Sequence, residues 1–263
     1  MSDRPPLFAA ISIQTNSRCN LKCPFCFYGQ YEDYTTDQII ETEVIYRIFD
    51  ELVMLNFRGR VSLYNMNEPL TDGRIPGLLA AARSHLPDCF HLLSTNGTLL
   101  TQAHLDRILT HVDRLRVNQY HKLPPLDYTS PKIDLQDKGG FLQRAGSNRG
   151  GNLRDLPAAA QPGTGPCANP FGQLVIMPPG IAVLCCADGF KQIQLGDVRI
   201  ESLEQIWHGP RFQAIRANLA SGRRDKVSLC RACSVVRGGF YEYFLTPSRF
   251  ERIIEGYRRG LYV

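Results

Sequence analysis

The chain has 263 residues, of which 43% are hydrophobic and 21% charged, an ordinary globular composition that excludes a disordered or collagen-like protein. No apolar run approaches the roughly 20 residues that a membrane-spanning helix needs, and no signal peptide is evident. The net charge of +5 is concentrated in residues 199–263, without the dense basic runs of nucleic-acid-binding proteins. We therefore expect a cytoplasmic protein with no membrane segment and no nucleic-acid partner.

The first half of the chain alternates short apolar strands with amphipathic helices. The pattern predicts strands at 8–14, 61–64, 90–94 and 115–118 and helices at 36–57, 75–86 and 101–110, with Thr36 as the N-cap of the first helix. This alternation favours an α/β fold with a parallel sheet. Ligands of such folds collect at the carboxyl ends of the strands.

The pattern changes beyond residue 120. Residues 121–131 are rich in Pro, and residues 139–166 read as loop and linker. A hairpin is predicted at 174–177 and 181–184, followed by helices at 202–207, 210–220 and 248–259, the last with Thr246 as N-cap. We expect two domains, 1–155 and a small α+β domain at 156–263.

Cysteines mark the first candidate site. The chain has nine, which in a reduced cytosol favours metal or cluster ligation over disulfides. Cys19, Cys23 and Cys26 form a C-x3-C-x2-C motif directly after the first strand. Three thiolates can hold an iron–sulfur cluster and leave one iron without a protein ligand. The alternative is structural zinc, for which a fourth local ligand is lacking.

This motif and its setting resemble the radical S-adenosylmethionine (SAM) superfamily. The resemblance covers the first 120–150 residues and implies a partial (β/α)6-type barrel, with a 4Fe–4S cluster on Cys19, Cys23 and Cys26 and with SAM as cosubstrate. It also implies contact of SAM with Phe25, which precedes the last cysteine, and with Asn67 and Glu68, which follow the second strand. Further SAM contacts are implied for the residues at the ends of the next two strands, Ser94, Asn96 and Asn118. The alternative for each is a turn-forming polar residue.

A second set of cysteines lies in the C-terminal part, at Cys167, Cys185, Cys230 and Cys233. A hairpin followed by a C-x2-C knuckle collects four thiolates around zinc or an iron–sulfur cluster. The spacing resembles the auxiliary-cluster domain of radical SAM enzymes, in the short twitch form of the SPASM domain. The whole chain resembles the 2-deoxy-scyllo-inosamine dehydrogenase family and related enzymes that act on aminoglycosides and oligosaccharides. The resemblance implies a second 4Fe–4S cluster.

Two further residues are candidates for the reaction itself. Cys186 adjoins Cys185 and is either a hydrogen donor to a substrate radical or a spare ligand. Arg149, or less well Arg144, resembles the residue that contacts the reacting hydroxyl in the dehydrogenase family, and a solvent-facing arginine is the alternative.

These residues leave several functions open. Our first hypothesis is epimerisation at a carbinol carbon of a sugar or aminocyclitol, with Cys186 as hydrogen donor and Arg149 orienting the hydroxyl. The alternatives are oxidation of the same carbon to a ketone, modification of a peptide, and a non-enzymatic metal-binding module. An external electron donor such as flavodoxin or ferredoxin is also implied.

Overall fold

The computed structural model describes residues 4–138, 147–154, 162–235 and 245–262. Its strands are β1 (Ala10–Ile13), β2 (Arg60–Ser62), β3 (Phe90–Thr95), β4 (Arg114–Gln119), β5 (Ile133–Asp137), β6 (Gln173–Met177), β7 (Ile181–Val183) and β8 (Gln194–Asp197). Its longer helices are α2 (Thr42–Met54), α3 (Ile75–His85), α4 (Gln102–Leu109), α6 (Leu203–His208), α7 (Pro210–Ala220) and α9 (Pro247–Arg258). Three further α-helices are single turns: α1 (Phe27–Gln30), α5 (Asn169–Gly172) and α8 (Ser228–Arg231).

The strands form one sheet with the order β5-β4-β3-β2-β1-β6-β7-β8. All neighbours from β5 to β6 are parallel, and β7 and β8 extend the sheet antiparallel. The expected α/β fold with a predominantly parallel sheet is confirmed. The sixth parallel strand, β6, pairs with β1 and not with β5, so this sheet continues across the expected boundary at 155/156. The two-domain division stays a prediction.

The first helix begins later than predicted. Residues 36–41 run beside the segment that leads into the cysteine motif, where Ile40 N–H donates to Thr15 O (2.9 Å) and Ser17 N–H donates to Gln38 O (3.0 Å). Thr36 therefore does not cap a helix, and its hydroxyl bonds with the Ser17 hydroxyl. These backbone bonds outweigh the helical periodicity of Ile39 and Ile40, and α2 starts at Thr42.

Other predicted elements agree with the structure. The hairpin is formed by β6 and β7, and α3, α4, α6 and α7 lie within one or two residues of the predicted bounds. α9 begins as expected, with the Thr246 hydroxyl accepting from Arg249 N–H (3.2 Å). The strands β5 and β8 were not predicted, because they are short and mostly polar. In the part of the chain that is described, no helix combines the length and apolarity needed to cross a membrane.

Candidate active site

A cavity of about 180 Å³ lies where the loops after β1, β2, β3 and β4 meet. These loops follow parallel strands, so their first residues emerge at one edge of the sheet. The cavity is lined by every residue that the sequence assigned to the first cluster or to SAM, together with Arg149: Cys19, Cys23, Phe25, Cys26, Asn67, Glu68, Ser94, Asn96, Asn118 and Arg149. Segments widely separated in sequence thus form one site.

The three cysteines of the first motif share one wall of this cavity. Cys26 N–H donates to Cys23 O (3.0 Å), which closes the loop before α1 begins at Phe27. Burial, with the charges of neighbouring groups, raises the pKa of the Cys19 and Cys23 thiols to about 11. Three thiolates so close together repel one another, and a metal centre offsets this repulsion by its positive charge. The chemistry of this donor set fits the cluster.

Glu68 lies in the same wall and is 2% exposed. Its carboxylate accepts from Thr95 Oγ1 (2.7 Å), Asn96 N–H (2.7 Å) and Leu70 N–H (3.0 Å). Burial raises the pKa of Glu68, and these three hydrogen bonds oppose that shift. Among the described residues it makes no ion pair. A buried carboxylate beside a cavity without a cationic partner fits the ammonium group of SAM.

We predict that Glu68→Gln weakens SAM binding by about 1–3 kcal/mol, the usual contribution of a hydrogen bond to a charged group. Calorimetric titration of the anaerobically reconstituted protein with SAM measures this change. The exposed Glu41 is the control position, and Glu41→Gln is expected to bind SAM like the wild type. Equal SAM affinity of Glu68→Gln and the wild type would contradict the assignment.

The amides of Asn67 and Asn96 tie the cysteine motif to the strand ends. Asn67 Nδ2 donates to Asn16 Oδ1 (3.1 Å), just before the motif, and Asn96 Nδ2 donates to Asn20 Oδ1 (2.9 Å), inside it. Both residues therefore position the loop that carries the cysteines. Their contacts with SAM stay predictions, as do those of the other lining residues.

Phe25 and Asn118 are held by other residues that line the cavity. Asn118 Nδ2 donates to Ser94 Oγ (2.8 Å), and the Phe25 ring packs against the Tyr120 ring with centroids 5.1 Å apart. The sequence reasoning missed Tyr120 and Tyr64, which also line the cavity. Their signal was available, because Tyr64 is the last residue of one predicted strand and Tyr120 follows another by two residues.

The second set of cysteines is also brought together. Cys167, Cys185, Cys230 and Cys233 are all buried, and each of the first three thiols has its pKa raised by burial and by the charge of at least one other member. Four buried thiols in mutual electrostatic contact fit a cluster. Among the described residues, no three His, Cys, Asp or Glu side chains are placed to hold a single metal ion.

The C-x2-C knuckle of this set is fastened to the segment at 147–154. Asn148 N–H donates to Ser234 Oγ (2.9 Å), Asn148 Nδ2 donates to Ala232 O (2.7 Å), and Ser234 N–H donates to Asn148 Oδ1 (2.8 Å). The buried Arg224, which precedes the knuckle in sequence, also donates to Gly165 O (2.8 Å). The knuckle and the residue that precedes Arg149 therefore form one unit.

Arg149 reaches the cavity through a tight left-handed loop. Its φ is 45°, followed by 73° at Gly150 and 82° at Gly151, a region that favours glycine. Gly150 lies against Leu229, and a Cβ at Gly151 would come within 2.8 Å of Ala232 Cβ. The packing against the auxiliary site thus holds Arg149 in an unfavourable backbone conformation, which costs roughly 1 kcal/mol or more. Arg144 lies outside the described residues.

We predict that Gly150→Ala lowers the free energy of unfolding by about 1–3 kcal/mol, because it combines backbone strain with a collision at Leu229. Gly222 is the matched control, since its φ of 75° is similar and a Cβ there would meet nothing within 4 Å. Urea unfolding of both variants is the measurement. An equal loss in Gly150→Ala and Gly222→Ala would show that the contact with Leu229 does not matter.

Cys186 lies beside this unit but does not line the 180 Å³ cavity. Its backbone carbonyl accepts from the Arg149 guanidinium (3.5 Å), and its Sγ accepts from Asn169 Nδ2 (3.7 Å). The side chain packs against Val175 and Met177 of β6. The role of Cys186 as hydrogen donor stays a prediction.

Comparisons with known proteins agree with the two cysteine sets. Residues 13–120 match the radical SAM superfamily, and residues 167–234 match SPASM, an iron–sulfur cluster-binding domain. The chain is 26% identical over 250 residues to the S-adenosyl-L-methionine-dependent 2-deoxy-scyllo-inosamine dehydrogenase of Niallia circulans, covering 91% of this chain and 99% of that protein.

Solved structures show the same fold. BtrN in complex with AdoMet and 2-DOIA has a TM-score of 0.77 at 23% identity, covering 91% of this chain and 98% of that one. Native anSMEcpe with bound AdoMet has a TM-score of 0.50 at 12% identity, covering 97% and 98%. Radical SAM domains bind SAM and a 4Fe–4S cluster, and SPASM domains bind auxiliary iron–sulfur clusters. The chain therefore carries a radical SAM domain followed by a SPASM domain.

Proposed function

We propose that the chain is a radical SAM alcohol dehydrogenase that oxidises a carbinol carbon of an aminocyclitol to a ketone. The observation that carries this proposal is the position of the Arg149 loop. Arg149 lines the 180 Å³ cavity (the SAM cavity), while Gly150 and Gly151 pack against Leu229 and Ala232 at the C-x2-C knuckle of the second cysteine set (the auxiliary knuckle). A substrate held by Arg149 therefore lies between the two cysteine sets. The similarity to a dehydrogenase along nearly its whole length supports the same reaction.

The cofactors supply the radical chemistry and the chain positions the substrate. When bound, the first cluster and SAM supply a 5′-deoxyadenosyl radical that removes a hydrogen atom, and the auxiliary cluster supplies a centre that accepts one electron. We assign the first cluster to Cys19, Cys23 and Cys26. The auxiliary cluster is assigned to Cys167, Cys185, Cys230 and Cys233.

Oxidation of the alcohol to a ketone balances as one hydrogen atom from carbon, which the deoxyadenosyl group would take up, one proton from the hydroxyl, which would pass to solvent, and one electron, for which the auxiliary cluster would be the acceptor. The Arg149 guanidinium donates directional hydrogen bonds to the reacting hydroxyl and favours the negative charge that develops on its oxygen as the proton leaves. Tyr64 lines the same cavity as Arg149. Burial raises the pKa of Tyr64, so its hydroxyl keeps its proton and acts as a donor. Both residues fix which hydrogen of the substrate is presented to the radical.

Epimerisation is the second candidate, and the observation that favours it is the position of Cys186. Its backbone carbonyl contacts the Arg149 guanidinium, so the thiol lies near the residue that would hold the substrate. The comparisons support the dehydrogenase better, because the similar protein of known activity oxidises its substrate. A peptide substrate has no comparable support, since the similarity to anSMEcpe concerns the fold alone. The reductant, flavodoxin or ferredoxin, stays a prediction.

Turnover of 2-deoxy-scyllo-inosamine in deuterated water separates the first two candidates. We expect a ketone, formed equally by the wild type and by Cys186→Ala. An alcohol inverted at the reacting carbon and carrying one solvent deuterium would overturn the dehydrogenase in favour of the epimerase. Loss of that inversion in Cys186→Ala would then identify Cys186 as the hydrogen donor.

A further inference from the structure

Gln14, the residue that follows β1, has a buried amide with only one half satisfied. Its side chain is 1% exposed, and Oε1 accepts from Met66 N–H at 3.2 Å. A backbone N–H can only donate, so this bond fixes which end of the amide is the oxygen. The NH2 group must then lie on the other side, and Nε2 is buried without a hydrogen-bond partner. A buried donor left in this state costs about 1–3 kcal/mol, and a ligand that accepts the bond recovers this energy.

Gln14 lies close to the place where two cavities adjoin. It lines a cavity of about 550 Å³ together with Tyr34 and Met177. Met66, to which Gln14 is bonded, lines the SAM cavity, and the Tyr34 hydroxyl lies 3.4 Å from Met66 Sδ. The larger cavity therefore adjoins the SAM cavity at Met66. A molecule in the larger cavity near Gln14 is adjacent to the reaction site.

The larger cavity also reaches the auxiliary domain. Met177, which lines it, packs in one cluster with Val175 and Cys186. The Tyr34 hydroxyl donates to Gly189 O (3.0 Å), which joins the segment before α2 to the loop that follows Cys185 and Cys186. The cavity is also lined by the exposed carboxylates of Glu32 and Asp33 and by the Lys191 ammonium, so the charges of its lining sum to −1, which suits a cationic amino group. This combination of an apolar wall, a buried donor and acidic residues fits an aminocyclitol.

We propose that Gln14 binds the substrate, with its NH2 group donating to a ring hydroxyl oxygen of the aminocyclitol in the cavity lined by Gln14, Tyr34 and Met177. The inference rests on the proposed function for the class of substrate. Gln14, which directly follows β1, then contacts the ring from the larger cavity, and Arg149 contacts it from the adjoining SAM cavity. Two separate contacts fix the orientation of a ring as well as its position.

The test measures binding of 2-deoxy-scyllo-inosamine to the reconstituted, SAM-loaded protein by calorimetric titration. Gln14→Met keeps the volume but removes the donor, and we expect about tenfold weaker binding, the usual effect of one lost hydrogen bond. SAM affinity is expected to stay unchanged. Gln194→Met, at an exposed position of β8 that lines neither cavity, is the control and is expected to bind like the wild type. If Gln14→Met does not fold, Gln14→Asn is used in the same binding measurement. Its shorter side chain cannot reach both Met66 N–H and the ring hydroxyl, so weaker binding of the probe is again expected.

Unchanged binding of the probe in a folded Gln14 variant would overturn the inference. Weaker SAM binding without weaker probe binding would also overturn it, because Gln14 would then only support Met66. If the wild type binds the probe but forms no ketone, the proposed function fails while the Gln14 contact stands. If the wild type does not bind the probe at all, the substrate class and the Gln14 contact both fail.

Discussion

Replacing Cys19, Cys23 and Cys26 together with Ala is expected to abolish formation of 5′-deoxyadenosine and to leave about half of the bound iron, because one of two similar clusters is lost. The three side chains line the cavity that contains Glu68, and the described loop offers no other thiol. Anaerobic reconstitution, iron analysis and quantification of 5′-deoxyadenosine with dithionite as reductant are the measurements.

Cys89→Ala is the matched control for this experiment. Cys89 is also buried but lies outside both cysteine sets, where its thiol donates to Phe57 O (3.2 Å). It is expected to keep both the iron content and the SAM cleavage of the wild type. Formation of 5′-deoxyadenosine by the triple variant would falsify the assignment of the first cluster. A colourless wild type that binds only zinc would remove the radical chemistry altogether.

Replacing Cys230 and Cys233 with Ala is expected to have a different effect, in which SAM is still cleaved but product formation falls by about 100-fold. Two physical reasons add to each other. The auxiliary cluster loses ligands, and the knuckle that supports the loop of Arg149 loses its anchor. A displacement of about 1 Å in a group that positions the substrate is enough for such a loss.

The ratio of product to 5′-deoxyadenosine measures this uncoupling. In the wild type we expect a ratio near one, and in the double variant a small fraction of it, while SAM affinity stays within twofold. Proportional loss of SAM cleavage and product would contradict the separation of roles, since both would then depend on one structural unit. Cys89→Ala again serves as the control for thiol removal.

Spacing and strand order made much of the site predictable. Cys19, Glu68 and Asn96 each follow a parallel strand, Asn118 lies at the end of another, and the carboxyl ends of parallel strands meet at one edge of the sheet. The resemblance to the radical SAM superfamily adds the assignment of these dispersed motifs to one SAM site. The auxiliary set is recognisable because a hairpin and a C-x2-C knuckle commonly collect four thiolates on one centre, and because its spacing resembles the auxiliary-cluster domain.

Other features depend on contacts that a sequence pattern does not encode. The left-handed loop of Arg149 requires Leu229 and Ala232, which lie about 80 residues further along the chain. Gln14 looked like an ordinary strand-end residue, and its unpaired amide becomes visible only with its bond to Met66 N–H. The start of α2 moved for the same reason, since pairing of residues 38–40 with the segment before the cysteine motif outweighs local helical preference.

We propose that a hydrogen atom passes from a carbinol carbon of the substrate to the 5′-deoxyadenosyl group and that the substrate leaves as a ketone. The most direct measurement uses 2-deoxy-scyllo-inosamine deuterated at its carbinol carbons, with mass spectrometry of both products. The account predicts one deuterium in each 5′-deoxyadenosine formed and one ketone for each 5′-deoxyadenosine. Unlabelled 5′-deoxyadenosine, or an alcohol as the sole product, would contradict it.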